Sequence, residues 1–200
     1  MSTQFNSSNI DLYDSGFSRK NEQGSFMCVV WLTGLSGAGK STIANELDRK
    51  FSAIQVKSVV LDGDHLRNGI NADLGFSRED RAENVRRIGH ISKLFFDTGI
   101  VTLVACISPY RNDREMVKKI FKEGTFIEVF VKCHIDECMS RDPKGLYSKV
   151  IEGKITQFTG ISSPYEEPET ADIVVDTQKE SLEQCTEKIL NFLLKKQSCV

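Results

Sequence analysis

Cys28-Val29-Val30-Trp31-Leu32-Thr33-Gly34-Leu35-Ser36-Gly37-Ala38-Gly39-Lys40-Ser41-Thr42-Ile43-Ala44 runs from an apolar, β-branched stretch through a glycine-rich turn into an amphipathic segment. In the last part Ile43, Ala44, Leu47 and Phe51 share one helical face. Gly34 to Ser41 satisfies G-x-x-x-x-G-K-[ST] in full, between the strand and the helix that this motif requires. Glycines let the backbone wrap an anion, because a Cβ would block both the approach and the dihedrals. Backbone N–H groups and the helix N-terminus then face the phosphates. The pattern places Gly34, Ser36, Gly37, Ala38, Gly39, Lys40, Ser41 and Thr42 around a nucleoside triphosphate. Lys40 is expected at the β- and γ-phosphates and Ser41 on Mg2+. A glycine-rich turn matching by chance would need neither flanking element, and a nicotinamide-binding G-x-G-x-x-G is absent.

Outward from this stretch, four more short apolar runs occur: Ser58–Leu61, Ile100–Ile107, Phe126–Val131 and Ile173–Val175. They are nearly continuous rather than alternating, as in strands covered on both faces. Helical spacing recurs between them, in Ala82, Val85, Ile88, Ile91 and Phe95 and in Met116, Val117, Ile120 and Phe121. It returns in Leu182, Cys185, Ile189, Phe192 and Leu193. Strands alternating with helices predict right-handed crossovers, hence a three-layer α/β/α P-loop NTPase fold with a five-stranded, mainly parallel sheet. Residues 26–200 are expected to form a single domain behind a loosely ordered arm, residues 1–25, rich in Ser and Asn. From about Arg141 to Thr170 the chain is polar and lacks core-facing periodicity. That stretch reads as a functional lid, with a plain surface loop as the alternative.

The 200 residues carry 40% hydrophobic and 27% charged side chains and a net charge of −2. This offers no field for broad nucleic-acid or membrane binding, so an anion site must be built from local Arg and Lys. Six cysteines, Cys28, Cys106, Cys133, Cys138, Cys185 and Cys199, show no C-x-x-C pairing and read as free thiols, Cys199 exposed near the end. No run has the length to span a bilayer, and no secretory or transit signal opens the chain, so a cytoplasmic location is expected.

The triphosphate loop leaves the acceptor open. A guanine-reading N-K-x-D is absent, and the run Ile100–Ile107 ends in Ser108 rather than in the acid a motor ATPase usually carries. Acids stand instead at Asp62 and Asp64, at the carboxyl end of the second strand, where ligands of open α/β sheets bind. Asp64 would accept a hydroxyl proton or hold Mg2+ through water, and Asp62 is the alternative for holding Mg2+ through water. Either could instead cap the next helix. Ser77, with Asp80 three residues on, approximates a capping box. Behind it Arg81 and Asn84 share one face near the helix's positive end, a pair fit to hold an anion. Arg78, Arg86 and Arg87 read as solvated faces or surface pairs. The arrangement suits a small-molecule kinase.

Five motifs carry a closer resemblance: D-G-D-x-x-R from Asp62, L-G-F-S-x-x-D-R-x-E-N-V-R-R from Leu74, I-S-P-Y from Ile107, R-D-x-K-G-L-Y from Arg141 and F-T-G-I from Phe158. In this order they resemble the adenylyl-sulfate kinase family, from about Met27 to the last helix. The resemblance implies transfer of the γ-phosphoryl of MgATP to the 3′-hydroxyl of adenosine 5′-phosphosulfate. It implies that Asp64 and Arg67 contact the acceptor, that Phe76 and Phe158 sandwich its adenine, and that Arg81 and Asn84 hold the phosphosulfate. It further places Ile107 and Ser108 on the acceptor, Lys144 towards the transferring phosphate, and Arg141 over the ATP adenine. Ser108 stands at the family's phosphoserine position; the absence of a neighbouring base favours direct transfer, with Ser108 as a substrate contact. His65 departs from the family, which usually has Asn there.

Two other readings stay open: a P-loop kinase for another small acceptor, which the Phe76 and Phe158 pair opposes, and a nucleotide-binding module without turnover. With no room for a fused sulfate adenylyltransferase, the chain is expected to receive its substrate from a separate enzyme. A homodimer is compatible with the sequence.

Overall fold

The computed structural model describes residues 27–197; the expected arm and Cys199 lie outside them. Strand β1 (Val29–Thr33) occupies the centre of a five-stranded sheet. Around it lie β2 (Ser58–Asp62), β3 (Val101–Ala105), β4 (Phe126–Lys132) and β5 (Ile173–Asp176), in the order β2-β3-β1-β4-β5. All four pairings are parallel, so the sheet is parallel throughout rather than mainly so.

Helices cover both faces, which explains the unbroken apolar runs. Val30 and Leu32 of β1 point towards α1 (Lys40–Ala53) and α7 (Leu182–Gln197), in a core shared with Leu47, Phe51, Ile127 and Ile189. The alternate residues Val29 and Trp31 face α3 (Arg78–Asp97) and α4 (Arg111–Lys118), packing with Val85, Ile88, Phe121 and Phe126. Trp31, fully buried, lies 5.6 Å from the Phe126 ring.

Not every apolar residue at helical spacing is core. Met116 is 56% exposed and Leu182 is 40% exposed. Met116 and Val117 are adjacent on α4, so they point about 100° apart and only Val117 reaches α3. Five cysteines are buried free thiols, as expected. No helix among the described residues is long and apolar enough to cross a membrane.

Because every strand is parallel, the carboxyl ends of β1, β2 and β3 open on one side of the sheet. The phosphate loop follows β1, Asp62 ends β2, and the Ile107-Ser108 turn follows β3. This shared edge positions the site.

Candidate active site

The loop after β1 bends as its glycines allow. Gly34 has φ +153°, and a Cβ there would stand 2.5 Å from the Val131 carbonyl oxygen. Gly37 has φ +78° and packs against the Cys138 backbone. The Lys40 ammonium is buried and donates to the carbonyls of Gly34 (3.0 Å) and Leu35 (2.7 Å). Burial pulls its pKa down to about 8, against the smaller opposing effects of neighbouring acids and thiols. Ala38 is also buried and serves through its backbone: its carbonyl accepts from Thr177 Oγ1 at 3.0 Å.

The two acids divide their work. Asp62 Oδ2 accepts from Ser41 Oγ at 2.5 Å, while Oδ1 accepts from the Asp64 amide at 2.9 Å and caps α2 (Gly63–Arg67). Burial raises the Asp62 pKa, but the Ser41 hydroxyl, the Asp64 amide and Lys144 outweigh it and hold the carboxyl below its usual range. Capping and a place beside Ser41 thus coexist in one residue. Asp64 points elsewhere, into an ion pair with Lys144 from the polar stretch 141–170. A hydroxyl oxygen and an ionised carboxylate are hard donors suited to Mg2+.

A cleft of about 1030 Å3 runs from the phosphate loop past Asp64 to the N-terminal turns of α3. Ser77 caps that helix, its Oγ accepting from the Asp80 amide at 3.1 Å. Arg81 and Asn84 are both buried there and border the cleft. Arg81 donates to Thr159 Oγ1 (2.7 Å) and to the carbonyls of Gln157 (2.9 Å) and Phe76 (2.9 Å). Asn84 Oδ1 accepts from Asn71 Nδ2 at 3.0 Å. Phe76 is 55% exposed, with the Arg67 guanidinium 4.6 Å from its ring centre. Phe158 is buried, its ring edge-on to Tyr147 at 4.8 Å. Ile107 and Ser108 also line the cleft.

Ser108 holds φ +39°, a left-handed conformation rare outside glycine. Its Oγ accepts from Trp31 Nε1 at 3.0 Å and its carbonyl accepts from Arg114 Nη1 at 2.7 Å. An indole N–H only donates, so it provides Ser108 with no base. Arg141 lies at the far end of the cleft, donating to Glu137 Oε1 (2.9 Å), Thr177 Oγ1 (3.1 Å) and the Thr177 carbonyl (2.9 Å).

The profile of the adenylylsulphate kinase family matches residues 26–176. The chain belongs to that family. It is 57% identical to a probable adenylyl-sulfate kinase of Halalkalibacterium halodurans, over 83% of this chain and 82% of that one. It is 48% identical to an adenylyl-sulfate kinase of Acaryochloris marina, over 94% and 93%. A Mycobacterium tuberculosis APS kinase, solved in complex with AMPPNP and APS, superposes with a TM-score of 0.80 at 43% identity, covering 84% of this chain and 97% of that chain.

The kinase also has residues in and directly behind the cleft wall for which its sequence suggested no role. Tyr147 lies in the R-D-x-K-G-L-Y motif and donates its hydroxyl to the Ser36 carbonyl at 2.9 Å. Thr177 sits between the phosphate loop and Arg141, and Leu182, spaced like a core residue, borders the cleft. These roles depend on contacts across 36 to 139 positions of sequence, which periodicity does not register. The stretch 141–170 is not purely surface: α6 (Leu146–Ile151) lies within it and buries Tyr147. Arg86 and Arg87 form surface pairs with Glu83, as expected, whereas Arg78 grips the buried Asp113 at 2.7 and 2.9 Å.

Proposed function

We propose that the chain works as an adenylyl-sulfate kinase in which one cleft holds both nucleotides end to end. It transfers the γ-phosphoryl of ATP to the 3′-hydroxyl of adenosine 5′-phosphosulfate, giving 3′-phosphoadenosine 5′-phosphosulfate and ADP. The observation that carries this is the continuity of the cleft from Lys40 and Ser41, past Asp64, to Arg81 and Asn84. Its volume of about 1030 Å3 is at the upper end for a ligand pocket and suits two nucleotides.

In this reading the loop amides and Lys40 bind the β- and γ-phosphates, and Arg141 covers the ATP adenine. Arg67, Arg81 and Asn84 hold the acceptor's anionic end, Phe76 and Phe158 flank its adenine, and Ile107 and Ser108 support it from below. Asp64 takes the proton of the 3′-hydroxyl as its oxygen bonds to the γ-phosphorus and the bond to the β-phosphate oxygen breaks. Lys144, beside Asp64, offsets charge on the group in transit. Ser41 and Asp62 are the residues that would hold Mg2+; bound there, it would neutralise charge on the β- and γ-phosphates. Ser108 binds substrate and forms no covalent intermediate. The stretch 141–170 acts as a lid, excluding water that would compete as acceptor.

A coupled ADP-release assay compares adenosine 5′-phosphosulfate with AMP and gluconate. The expected outcome is turnover with the phosphosulfate alone and its collapse in Lys40→Ala. Equal rates with AMP would sink the acceptor assignment, and unimpaired Lys40→Ala would sink the reading of the loop.

A further inference from the structure

Tyr147, behind the cleft wall, touches two residues that line the cleft, Ser36 and Phe158. Its hydroxyl donates to the Ser36 carbonyl inside the phosphate loop, and its ring meets Phe158 edge-on with centroids 4.8 Å apart and planes at 71°. Only 2% of the residue is exposed. Burial pushes the phenol pKa well above its usual value, so the hydroxyl stays protonated and can act only as a donor to that carbonyl. Its backbone is fixed too: Asp142, at φ +22°, accepts from the Tyr147 amide at 3.1 Å and from the Ser148 amide at 3.0 Å. A close-packed interior is weakly compressible and transmits strain, so a ring held at both contacts can link them.

We propose that Tyr147 is a positioning residue that couples the two nucleotide subsites. Occupancy of the phosphate loop sets the Ser36 carbonyl, the Tyr147 hydroxyl follows it, and the ring edge sets the angle of Phe158 against the acceptor base. The proposal rests on the two-nucleotide reading of the cleft and adds a reciprocal coupling between its halves. It also gives a reason for a tyrosine here: phenylalanine would fill the same space but would release the loop.

The test is a linkage measurement on the full chain. The dissociation constant of adenosine 5′-phosphosulfate is titrated with and without saturating AMPPNP, in wild type and in Tyr147→Phe. Wild type should bind the phosphosulfate more tightly with the analogue present, and the reverse titration must give the same factor. Tyr147→Phe loses one hydrogen bond, and the factor should fall by about two- to tenfold. An unaltered factor in Tyr147→Phe, or no coupling in wild type, overturns the proposal and leaves the two-nucleotide reading intact. Wild-type protein that binds AMPPNP but never the phosphosulfate overturns the acceptor assignment itself. Should Tyr147→Phe fold poorly, Phe158→Leu cuts the link at its other contact. The ratio of affinities, unlike the affinity itself, should then drop by a similar factor; a preserved ratio would count against coupling.

Discussion

Lys40 is a largely buried cation at the cleft wall, held by two backbone carbonyls. With burial holding its pKa near 8 against 10.5 for an exposed lysine, the folded protein releases this proton earlier than the unfolded chain does. The burial penalty therefore applies in full below pH 8 and fades as pH rises from 8 towards 10.5. Triphosphate anions reverse the shift by favouring the charged form. Nucleotide binding at pH 8 should accordingly take up about half a proton per site, and almost none at pH 6.5. Calorimetry in buffers of different ionisation enthalpy measures the uptake, and its persistence in Lys40→Met would reject Lys40 as the source. Ser108 allows a second test at this scale. Trp31 is the sole tryptophan and donates to the Ser108 hydroxyl, so its emission should change when the acceptor binds. Ser108→Ala should shift that emission and slow turnover by no more than about tenfold, the loss of one hydrogen bond. Complete inactivity would restore an obligatory phosphoserine.

Among the elements, α3 links stability to recognition. Its N-terminus is fixed by Ser77, and Arg81 and Asn84 sit within its first two turns. Ser77→Ala should cost about 1 kcal/mol of stability by denaturant unfolding. Because Arg81 and Asn84, the pair proposed to hold the anion, ride on the loosened turn, KM for the phosphosulfate should rise while KM for ATP holds. Equal rises in both would mean that the cap acts on the whole fold. This helix was readable in advance, since Ser77, Asp80 and the 3.6-residue repeat are local signals. The short helix α6 was not: it spans Leu146–Ile151 and forms around Tyr147, whose hydroxyl partner Ser36 lies 111 positions away.

At the scale of the whole molecule, Arg114 joins four parts of the fold. It pairs with Glu128 of β4 at 2.7 Å and donates to the Ser108 carbonyl and, at 2.9 Å, to that of Glu166. Its side chain is 3% exposed and that of Glu128 is 12% exposed. Arg114→Met leaves a buried carboxylate without its partner, at a cost of about 3–5 kcal/mol. Thermal unfolding should drop by roughly 10 °C, and Arg114→Met/Glu128→Leu should recover much of it. No recovery in the double variant would show that the ties to Ser108 and Glu166 matter more than the ion pair.

Local chemistry determined much of this protein. The loop Gly34–Thr42, the five strands and the acids at Asp62 and Asp64 follow from periodicity, glycine freedom and parallel-sheet logic, and the ordered motifs pointed to the family. Only the tertiary structure decided which acid meets Ser41 and which meets Lys144, because residues 62 and 64 are indistinguishable by spacing alone. It alone decided that Leu182 borders the cleft and that Tyr147 is buried. A side chain's partners across the sheet depend on how layers pack, and packing leaves no period in the sequence.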